Sequence, residues 1–406
     1  MEEHPQARFI VEKLAQAGFV AYYAGGWVRD FLLQHPSDDI DIATNAAPET
    51  IQVLFPHTVP IGIAFGIILV IVDGHPYEVA TFRQDIEYRD GRRPTKIAFA
   101  TAEEDAQRRD FTINGLFYDP LKGEILDFVG GRKDLERGII RAIGNPEARI
   151  REDRLRMLRA LRLSCRFNFP IEEKTRTAIM KEAHHLRPAV AMERISQELE
   201  KAKSFGKLHL MLTQMVHFSL LTPIFPELAH TLPELLEERL SPLHLYPENA
   251  PLIAFLLPLF PNASLQEEIA LCKKLKLSGQ EENFLLFLAR GKTLLQKKSP
   301  PLQEWAHFYA HPSSATALRI FSAHEEDPQK FLLAQEEKIK KLRPAIARIE
   351  ENRPLVSSAC LMEQGVLPGK QLGALLKEAE RISIDEGLED QISILERLKH
   401  SSLWPK

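Results

Sequence analysis

The 406-residue sequence lacks the features of a membrane-embedded or disulfide-bonded protein. It has no apolar run near the roughly 20 residues that a membrane-spanning helix needs. Its first residues, MEEHPQARFIVEKL, are acidic and amphipathic, unlike a secretory signal. The cysteines Cys165, Cys272 and Cys360 are few, odd in number and far apart, and no Cys/His cluster suggests structural zinc. We therefore expect reduced thiols and a cytoplasmic location.

A basic excess, the usual mark of a nucleic-acid-binding protein, is also missing. The formal net charge is −4. The charge is unevenly distributed, however, because residues 149–166 contain seven arginines against only Glu152 and Asp153. This segment fits a site for phosphate groups or a solvated basic helix, and taken alone it favours the solvated helix.

The most informative segment is AGGWVRDFLLQHPSDDIDIAT, residues 24–44. Asp39 and Asp41 are two residues apart, a spacing that puts both side chains on one face of a strand. Two carboxylates on one face can share a pair of divalent cations, as nucleotidyl transfer requires. Gly25 and Gly26 let the backbone approach a polyphosphate, and Arg29 can pair with its oxygens. The segment predicts a site for a nucleoside triphosphate and metal ions.

The apolar periodicity divides the chain into a mixed part and a helical part. Strand and helix patterns alternate over the first 130 or so residues, and Asp73-Gly74 between two apolar runs predicts a hairpin. We predict a mostly antiparallel sheet there, with a mobile loop near residues 88–94. From about residue 150 onward the pattern is helical only.

Three further segments carry side chains suited to the same chemistry. HPYEVATFR places Glu78 on a strand that could lie beside the aspartate pair and supply a third carboxylate, although an exposed strand residue is an equally good interpretation. RRDFTIN contains Arg109 and Asp110 and suits the binding of ribose and phosphates. The Gly-Gly pair in DFVGGRKDL predicts a turn about which the chain could pivot.

The segment EDRLRMLRALR predicts a helix with one polar face. At three-residue intervals, Asp153, Arg156 and Arg159, or equally Arg156, Arg159 and Arg162, would lie along that face. A carboxylate and a guanidinium together offer acceptors and donors to the Watson–Crick edge of a base. A protein could select a nucleotide in this way without a template.

In this order, GGWVRD…DIDIAT, RRDFTIN, GGRKDL and EDRLRMLR resemble the successive motifs of class II tRNA nucleotidyltransferases, the CCA-adding enzymes. These enzymes and the bacterial poly(A) polymerases belong to the polymerase β superfamily. The resemblance covers about residues 20–165, and AMERISQELEKA resembles a later helical motif. It implies an α+β fold, with a polymerase β-like head built on a mostly antiparallel sheet and an all-α neck, body and tail. The expected ranges are 1–140 for the head, 141–205 for the neck, 206–330 for the body and 331–406 for the tail.

The resemblance also implies a role for each matching residue. Asp39 and Asp41 would hold two Mg²⁺ ions, with Glu78 as a third catalytic carboxylate. Gly26 and Arg29 would contact the triphosphate, and Arg109 and Asp110 would contact ribose and phosphate. Asp153 and Arg156 would pair with the base. Arg159 and Arg162 would support the helix and bind phosphate. Asp38 matches no carboxylate of the family.

The activity that follows is template-independent addition of CMP, CMP and AMP to tRNA 3′ ends from CTP and ATP, with release of pyrophosphate. The helical remainder would bind the acceptor stem and elbow of tRNA through its shape. We expect no membrane association, and no obligate protein partner is evident.

Several relatives remain as alternatives. Poly(A) polymerases carry a basic segment where this chain has PIGIAFGIILV, and CC-adding enzymes have a shortened loop where RQDIEYRDGRRP is intact. An A-adding enzyme is harder to separate by sequence. A non-catalytic RNA-binding relative would be expected to have lost Asp39 or Asp41, and a small-molecule nucleotidyltransferase would not need EDRLRMLR or a long helical extension.

Overall fold

The computed structural model describes residues 4–35, 37–62, 66–88 and 94–405. The chain forms two compact units, Met1–Glu237 and Glu238–Lys406. Within the described residues, no helix is both long enough and apolar enough to cross a membrane. Most of the predicted mobile loop, residues 89–93, lies outside the described residues, as does Phe65 of the PIGIAFGIILV segment.

The first unit is built on a seven-stranded sheet in the order β3-β4-β5-β2-β1-β8-β9, and a separate hairpin pairs β6 with β7. Among the strands of this sheet that the structure describes, only β2 and β5 are parallel neighbours, so the prediction of a mostly antiparallel sheet is confirmed. The strands are β1 Ala21–Ala24, β2 Asp41–Thr44, β3 Thr58–Gly62, β4 Ile67–Val72, β5 His75–Thr81, β6 Arg83–Tyr88, β7 Pro94–Phe99, β8 Leu116–Asp119 and β9 Glu124–Asp127.

Helices account for the rest of the regular structure. Those of the first unit are α1 Pro5–Gln16, α2 Gly26–Leu32, α3 Pro48–Leu54, α4 Ala102–Arg108, α5 Gly131–Arg137, α6 Pro146–Glu152, α7 Leu155–Phe167, α8 Glu173–Glu182, α9 Leu186–Ala189, α10 Met192–Ser204, α11 Leu208–His217 and α12 Leu221–Ile224. Then follow α13 Pro233–Leu240, α14 Leu252–Leu256, α15 Leu265–Lys274, α16 Gly279–Gln296, α17 Leu302–Ala310, α18 Ser314–Ser322, α19 Pro328–Glu350, α20 Ser358–Glu363, α21 Lys370–Glu386 and α22 Gln391–Lys399.

The alternation of side chains along the central strands separates a core face from a site face. Tyr23 and Ile42 belong to a large apolar cluster, to which α1 contributes residues at helical spacing. Their neighbours Ala24 and Ala43 point to the opposite face, which carries Phe82 and Phe117. Asp41 is two residues before Ala43, so it shares this second face.

The predicted hairpin is confirmed. Asp73 and Gly74 have positive φ angles of 51° and 78°, and they join β4 to β5 in antiparallel register. Two consecutive residues with positive φ match the right-handed twist of the flanking strands, which is why Asp-Gly favours this turn.

The Gly-Gly pair forms a turn at the start of α5, and its role as a pivot stays a prediction. Gly130 has a left-handed φ of 78° and precedes α5. A Cβ on Gly131 would lie 2.2 Å from the carbonyl oxygen of Thr112, so this glycine permits close packing of α5 inside the head. The Thr112 hydroxyl also donates to Asp134 at 2.8 Å, which fixes the same contact. The pair therefore allows α5 to pack closely against Thr112.

The second unit contains no strand among its described residues, in line with the helical pattern of the sequence. One of its apolar clusters includes Leu361, Leu375 and Leu398. Buried Glu281 accepts hydrogen bonds from the backbone N–H groups of Leu252 and Ile253 at 3.0 and 2.8 Å, which satisfies donors at the start of α14.

Candidate active site

A single cavity of about 710 Å³ in the first unit gathers most of the predicted site residues. It is lined by Gly26, Arg29, Asp39, Asp41, Arg109, Asp110, Asp153, Arg156, Arg159 and Arg162. Its volume is within the range of small-ligand sites. Nine basic side chains face five carboxylates in it, so the lining suits a polyanion.

Asp39 and Asp41 both line the cavity, but they do not share a strand as predicted. β2 begins at Asp41, and Asp39 lies before it in an exposed, irregular segment. Ile40 lies between the two and is buried. Both carboxylates nevertheless reach the same cavity. Asp38 is exposed and does not line the cavity.

Glu78 lies beside the aspartate pair on the neighbouring strand. β2 and β5 are parallel, with Ile42 opposite Val79, which places Glu78 next to Asp41 along the sheet. Glu78 is exposed and is not part of the cavity lining. Its position is therefore compatible both with a third catalytic carboxylate and with an exposed strand residue. Its charge nevertheless acts on Asp41.

The surroundings of Asp41 disfavour the ionised form of its carboxyl group. Burial, together with the negative charges of Asp39 and Glu78, raises its pKa from the ordinary 3.8 to about 6, while Arg109 acts in the opposite direction. Three acids that destabilise one another in this way form a local excess of negative charge. A bound cation would relieve it.

The glycine with the strongest conformational requirement is Gly25, one residue before the predicted Gly26. Gly25 has a φ of 69°, and a Cβ there would lie 2.9 Å from Nη1 of Arg109. Gly26 begins α2 without a positive φ, and a Cβ there would be 3.6 Å from Arg29. The tight turn thus belongs to Gly25, and it lets Arg109 lie close to the backbone near Asp41.

We expect Gly25→Ala to raise the KM for the nucleotide about tenfold and to lower the free energy of unfolding by about 1–2 kcal/mol. The added Cβ displaces Arg109, and the positive φ strains the backbone. Steady-state kinetics and urea unfolding measure the two effects. Gly123→Ala is the matched control, because Gly123 has a φ of 72° with nothing within 4 Å of its Cβ position. If both variants left KM unchanged, the close approach of Arg109 would be unimportant.

Arg29 is buried on α2 with only 4% of its surface exposed. Its guanidinium pairs with Asp30 at 2.7 Å and donates to Oδ1 of Asn114 at 2.5 Å. It also lies 4.7 Å from the centre of the Phe167 ring. These contacts fix the orientation of a cation that borders the cavity.

Asp105 holds the two arginines of the RRDFTIN motif. Its carboxylate accepts from Nε of Arg108 at 2.8 Å and from Nε and Nη2 of Arg109 at 3.1 and 3.0 Å. Only 1% of Asp105 is exposed, and burial alone would raise its pKa. The two arginines outweigh burial and hold its pKa below the ordinary value. Asp105 therefore remains ionised behind Arg109.

Asp110 faces protein groups more than the open cavity. Arg159 donates to its Oδ2 at 2.7 Å, while the Phe111 N–H and the Asn114 amide donate to its Oδ1 at 2.8 and 3.0 Å. Burial acts to raise the pKa of Asp110, but Arg159 and Asn114 prevail and hold it well below the ordinary value. Direct contact of Asp110 with ribose stays a prediction; what the structure shows is that it orients Arg159.

The predicted helix face is interrupted at Asp153. This residue has extended backbone angles between α6 and α7, so it precedes the helix that carries the arginines. Its carboxylate accepts from the Leu155 N–H at 3.0 Å and from both terminal nitrogens of Arg194 at 3.1 and 2.7 Å. Arg156 follows on the first turn of α7 and donates to backbone carbonyls of Arg149 and Arg108.

Arg162, further along α7, pairs with a carboxylate of α10. Its Nε donates to Glu198 at 2.6 Å, and Glu198 is only 2% exposed. The same carboxylate lies 3.8 Å from Arg159. The arginine side chains are thus held in place before any ligand binds, which reduces the ordering cost of binding.

The sequence did not reveal the ion-pair partners of several residues that line the cavity. Asp105, Asp30, Glu198 and Arg194 each make an ion pair with a residue lining the cavity. Asp105 lies four residues before Arg109 in a segment with a capping box, Thr101 and Glu104, so a helix there was foreseeable. The partners of α7 on α10 are more than 30 residues away, and no local pattern identifies them.

Comparisons with known proteins show what the chain is similar to. Residues 21–141 match the family model of the poly A polymerase head domain, and residues 168–232 match a probable RNA- and SrmB-binding site of polymerase A. The CCA-adding enzyme of Ligilactobacillus salivarius is 48% identical over 201 residues, and that of Bacillus cytotoxicus is 45% identical over 202 residues. These matches cover 49% and 50% of this chain and the same shares of the relatives. The chain thus spans about half the length of the curated relatives it matches.

Solved structures extend the likeness to nearly the whole chain. A crystal structure of the Bacillus stearothermophilus CCA-adding enzyme in complex with CTP is 27% identical, with a TM-score of 0.77 over 97% of this chain and 96% of that one. A Thermotoga maritima CCA-adding enzyme complexed with tRNA is 22% identical, with a TM-score of 0.68 over 96% and 93%, and supports the fold. The first part of the chain is thus similar to the head domain of poly A polymerases. Residues 21–141 and 168–232 match models of the poly A polymerase family, and the chain is similar to CCA-adding enzymes in sequence over about half its length and in fold over nearly all of it.

Proposed function

We propose that this protein adds C, C and A to the 3′ ends of tRNA from CTP and ATP without a template. One observation carries the proposal: the Asp39–Asp41 pair and the base-selecting candidates Asp153 and Arg156 line one cavity. A nucleotide can therefore be selected by side chains and activated for transfer in the same place. The similarity to CCA-adding enzymes supports this activity over its alternatives.

In the proposed reaction, the 3′-hydroxyl oxygen of the RNA attacks the α-phosphorus of the nucleotide. The bond from this phosphorus to the bridging oxygen breaks, pyrophosphate leaves with the electron pair, and the hydroxyl proton passes to solvent. Arg29 and Arg109 hold the phosphates in line for attack and offset the charge that develops on them. Their buried carboxylate partners keep both guanidiniums in place.

The residues present fit a divalent cation site. Among the described residues, no group of three or more His, Cys, Asp or Glu side chains converges as a complete metal centre. Mg²⁺ often binds through one or two carboxylates and completes its shell with water and substrate phosphates. Asp39 and Asp41, with Glu78 adjacent, would hold two Mg²⁺ ions. Bound there, the ions would supply Lewis-acid stabilisation of the phosphate oxygens and of the attacking hydroxyl.

We expect Asp153→Ala to reduce the preference for CTP and ATP over UTP and GTP by about tenfold. Asp153 and Arg156 would hydrogen-bond the base edge, and Asp153 would do so while paired with Arg194. Ratios of kcat/KM for the four nucleotides measure the effect. Glu147→Ala, a change at a partly exposed residue of α6 that does not line the cavity, is the control. Unchanged ratios in Asp153→Ala would remove the selecting role of this residue.

The overall activity is tested with a tRNA that ends at the discriminator base. Incubation with CTP and ATP, singly and together, should add C, C and A in order. Addition of A only to a supplied CC end would identify an A-adding enzyme, and addition that stops at CC would identify a CC-adding enzyme. A long A tract would indicate a poly(A) polymerase, and no addition would overturn the proposal.

The same proposal assigns the rest of the chain. Residues 1–140 would be the head, 141–205 the neck, 206–330 the body and 331–406 the tail, and the helical parts would bind the acceptor stem and elbow of tRNA. The match of residues 168–232 to a probable RNA-binding site of polymerase A supports this assignment. With tRNA, CTP and ATP as substrates, the enzyme would work in the cytoplasm.

A further inference from the structure

We propose that Lys201, supported by Arg166, forms a subsite for the terminal phosphate of the bound triphosphate and for the pyrophosphate released. The inference rests on the proposed nucleotidyl transfer and concerns a part of the cavity that the predicted roles leave unassigned. Both residues line the cavity.

The order of residues along the cavity follows from two parallel helices. Asp153 and Arg194 meet at the beginnings of α7 and α10, Arg162 and Glu198 meet midway, and Arg166 contacts Phe205 where the helices end. α7 has 13 residues and is therefore about 20 Å long. The cavity thus has a base end at Asp153 and a second end at Arg166.

Contacts to the head place the triphosphate toward that second end. Arg166 donates to Oδ2 of Asp30 at 3.0 Å, and Asp30 pairs through Oδ1 with Arg29. The metal-site carboxylates lie near Arg109, whose neighbour Asp110 pairs with Arg159 midway along α7. A nucleotide with its base at Asp153 and its α-phosphate near Asp41 would therefore extend its terminal phosphate toward Arg29 and Arg166.

Lys201 differs from the arginines around it. Arg194, Glu198, Lys201 and Phe205 are four, three and four residues apart, so they share one face of α10. Arg194 and the arginines of α7 that face the cavity each have a carboxylate partner. Lys201 is exposed and has no such partner within 4.0 Å among the described residues. Its charge is available to a ligand, and an ammonium group is a common phosphate binder.

Arg166 is oriented to support the same ligand. Its guanidinium lies 4.0 Å from the centre of the Phe205 ring and 4.8 Å from that of Phe167. Stacking on two rings, together with the bond to Asp30, leaves it little freedom. Two cations, one held in place and one exposed without a carboxylate partner among the described residues, suit a group that must bind as a triphosphate tail and then leave.

Binding measurements on the full chain with Mg²⁺ test the proposal, with CTP, CMP and inorganic pyrophosphate as probes. Lys201→Ala should weaken CTP and pyrophosphate about tenfold and leave CMP unchanged, because only CMP lacks the terminal phosphates. Lys201→Arg should restore most of the affinity. Lys203→Ala is the matched control, since Lys203 is on the same helix, pairs with Glu200 at 3.0 Å and does not line the cavity.

Equal weakening of CTP and CMP, or unchanged pyrophosphate binding in Lys201→Ala, would overturn the subsite. The outcome is separable from that of the proposed function. A wild-type protein that binds CTP but adds nothing to tRNA would contradict the function, whereas an active wild type with an unaffected Lys201→Ala variant would contradict only the subsite.

Discussion

Replacing Asp41 with asparagine is expected to reduce nucleotide addition about a thousandfold or more, because the variant loses a charged ligand of both proposed metal ions. Binding of tRNA should persist, since the helical parts of the chain are unchanged. Single-turnover addition of radiolabelled CMP measures the first effect, and a gel-shift titration measures the second. Asp38→Asn is the matched control. Asp38 lies three residues before Asp41, is exposed and does not line the cavity.

The same variant should make the metal-free protein more stable at neutral pH. The pKa of Asp41 is raised to about 6, so the folded state favours the protonated form. The protonated carboxyl contributes fully to the stability of the folded state below pH 3.8, the ordinary pKa. This contribution is lost as the pH rises through about 6. Asparagine never ionises, so Asp41→Asn should gain about 2 kcal/mol at pH 7.5 and almost nothing near pH 4.

Urea unfolding in EDTA at the two pH values measures this gain. Adding Mg²⁺ should then stabilise the wild type but not Asp41→Asn, because only the wild type keeps the full negative charge. A variant that retains substantial addition, or one that is destabilised at pH 7.5 without metal, would contradict the assignment of Asp41.

Replacing Asp105 with asparagine is expected to lower the free energy of unfolding by about 3 kcal/mol at pH 7. The change leaves Arg108 and Arg109 beside a neutral group in a place where only 1% of Asp105 is exposed. Arg109 would also lose its fixed position near Asp41, so KM for the nucleotide should rise by about tenfold or more. Urea unfolding and steady-state kinetics measure the two effects.

The stability that Asp105 contributes should depend on pH. The pKa of Asp105 is below its ordinary value, so its contribution to stability is present above about 3.8 and is lost as the pH falls through the lower folded value. The difference between wild type and Asp105→Asn should therefore shrink below pH 3.8. Glu103→Gln, an exposed change on the same helix, should show neither effect. Equal stability of wild type and Asp105→Asn at pH 7 would contradict the positioning role.

Local patterns predicted those parts of the structure that local physics decides. Asp73-Gly74 specified its hairpin because two successive positive φ angles need such residues. The arginines of α7 appeared on one face because helical spacing sets that face. The break at Asp153 was missed, since its extended backbone is stabilised by Arg194 from a helix about 40 residues further along the chain.

The sequence by itself determined the chemical groups of the site: a carboxylate pair after a glycine turn, an RRD motif and a row of arginines. Only the tertiary structure decided which of these groups are free to meet a ligand. Asp105, Asp110 and Glu198 neutralise and orient arginines, whereas Lys201 has no carboxylate partner within the part of the chain that the structure describes. The physical reason is that ion pairing depends on distance in space, and the partners come together only when α7, α10 and the sheet pack against one another.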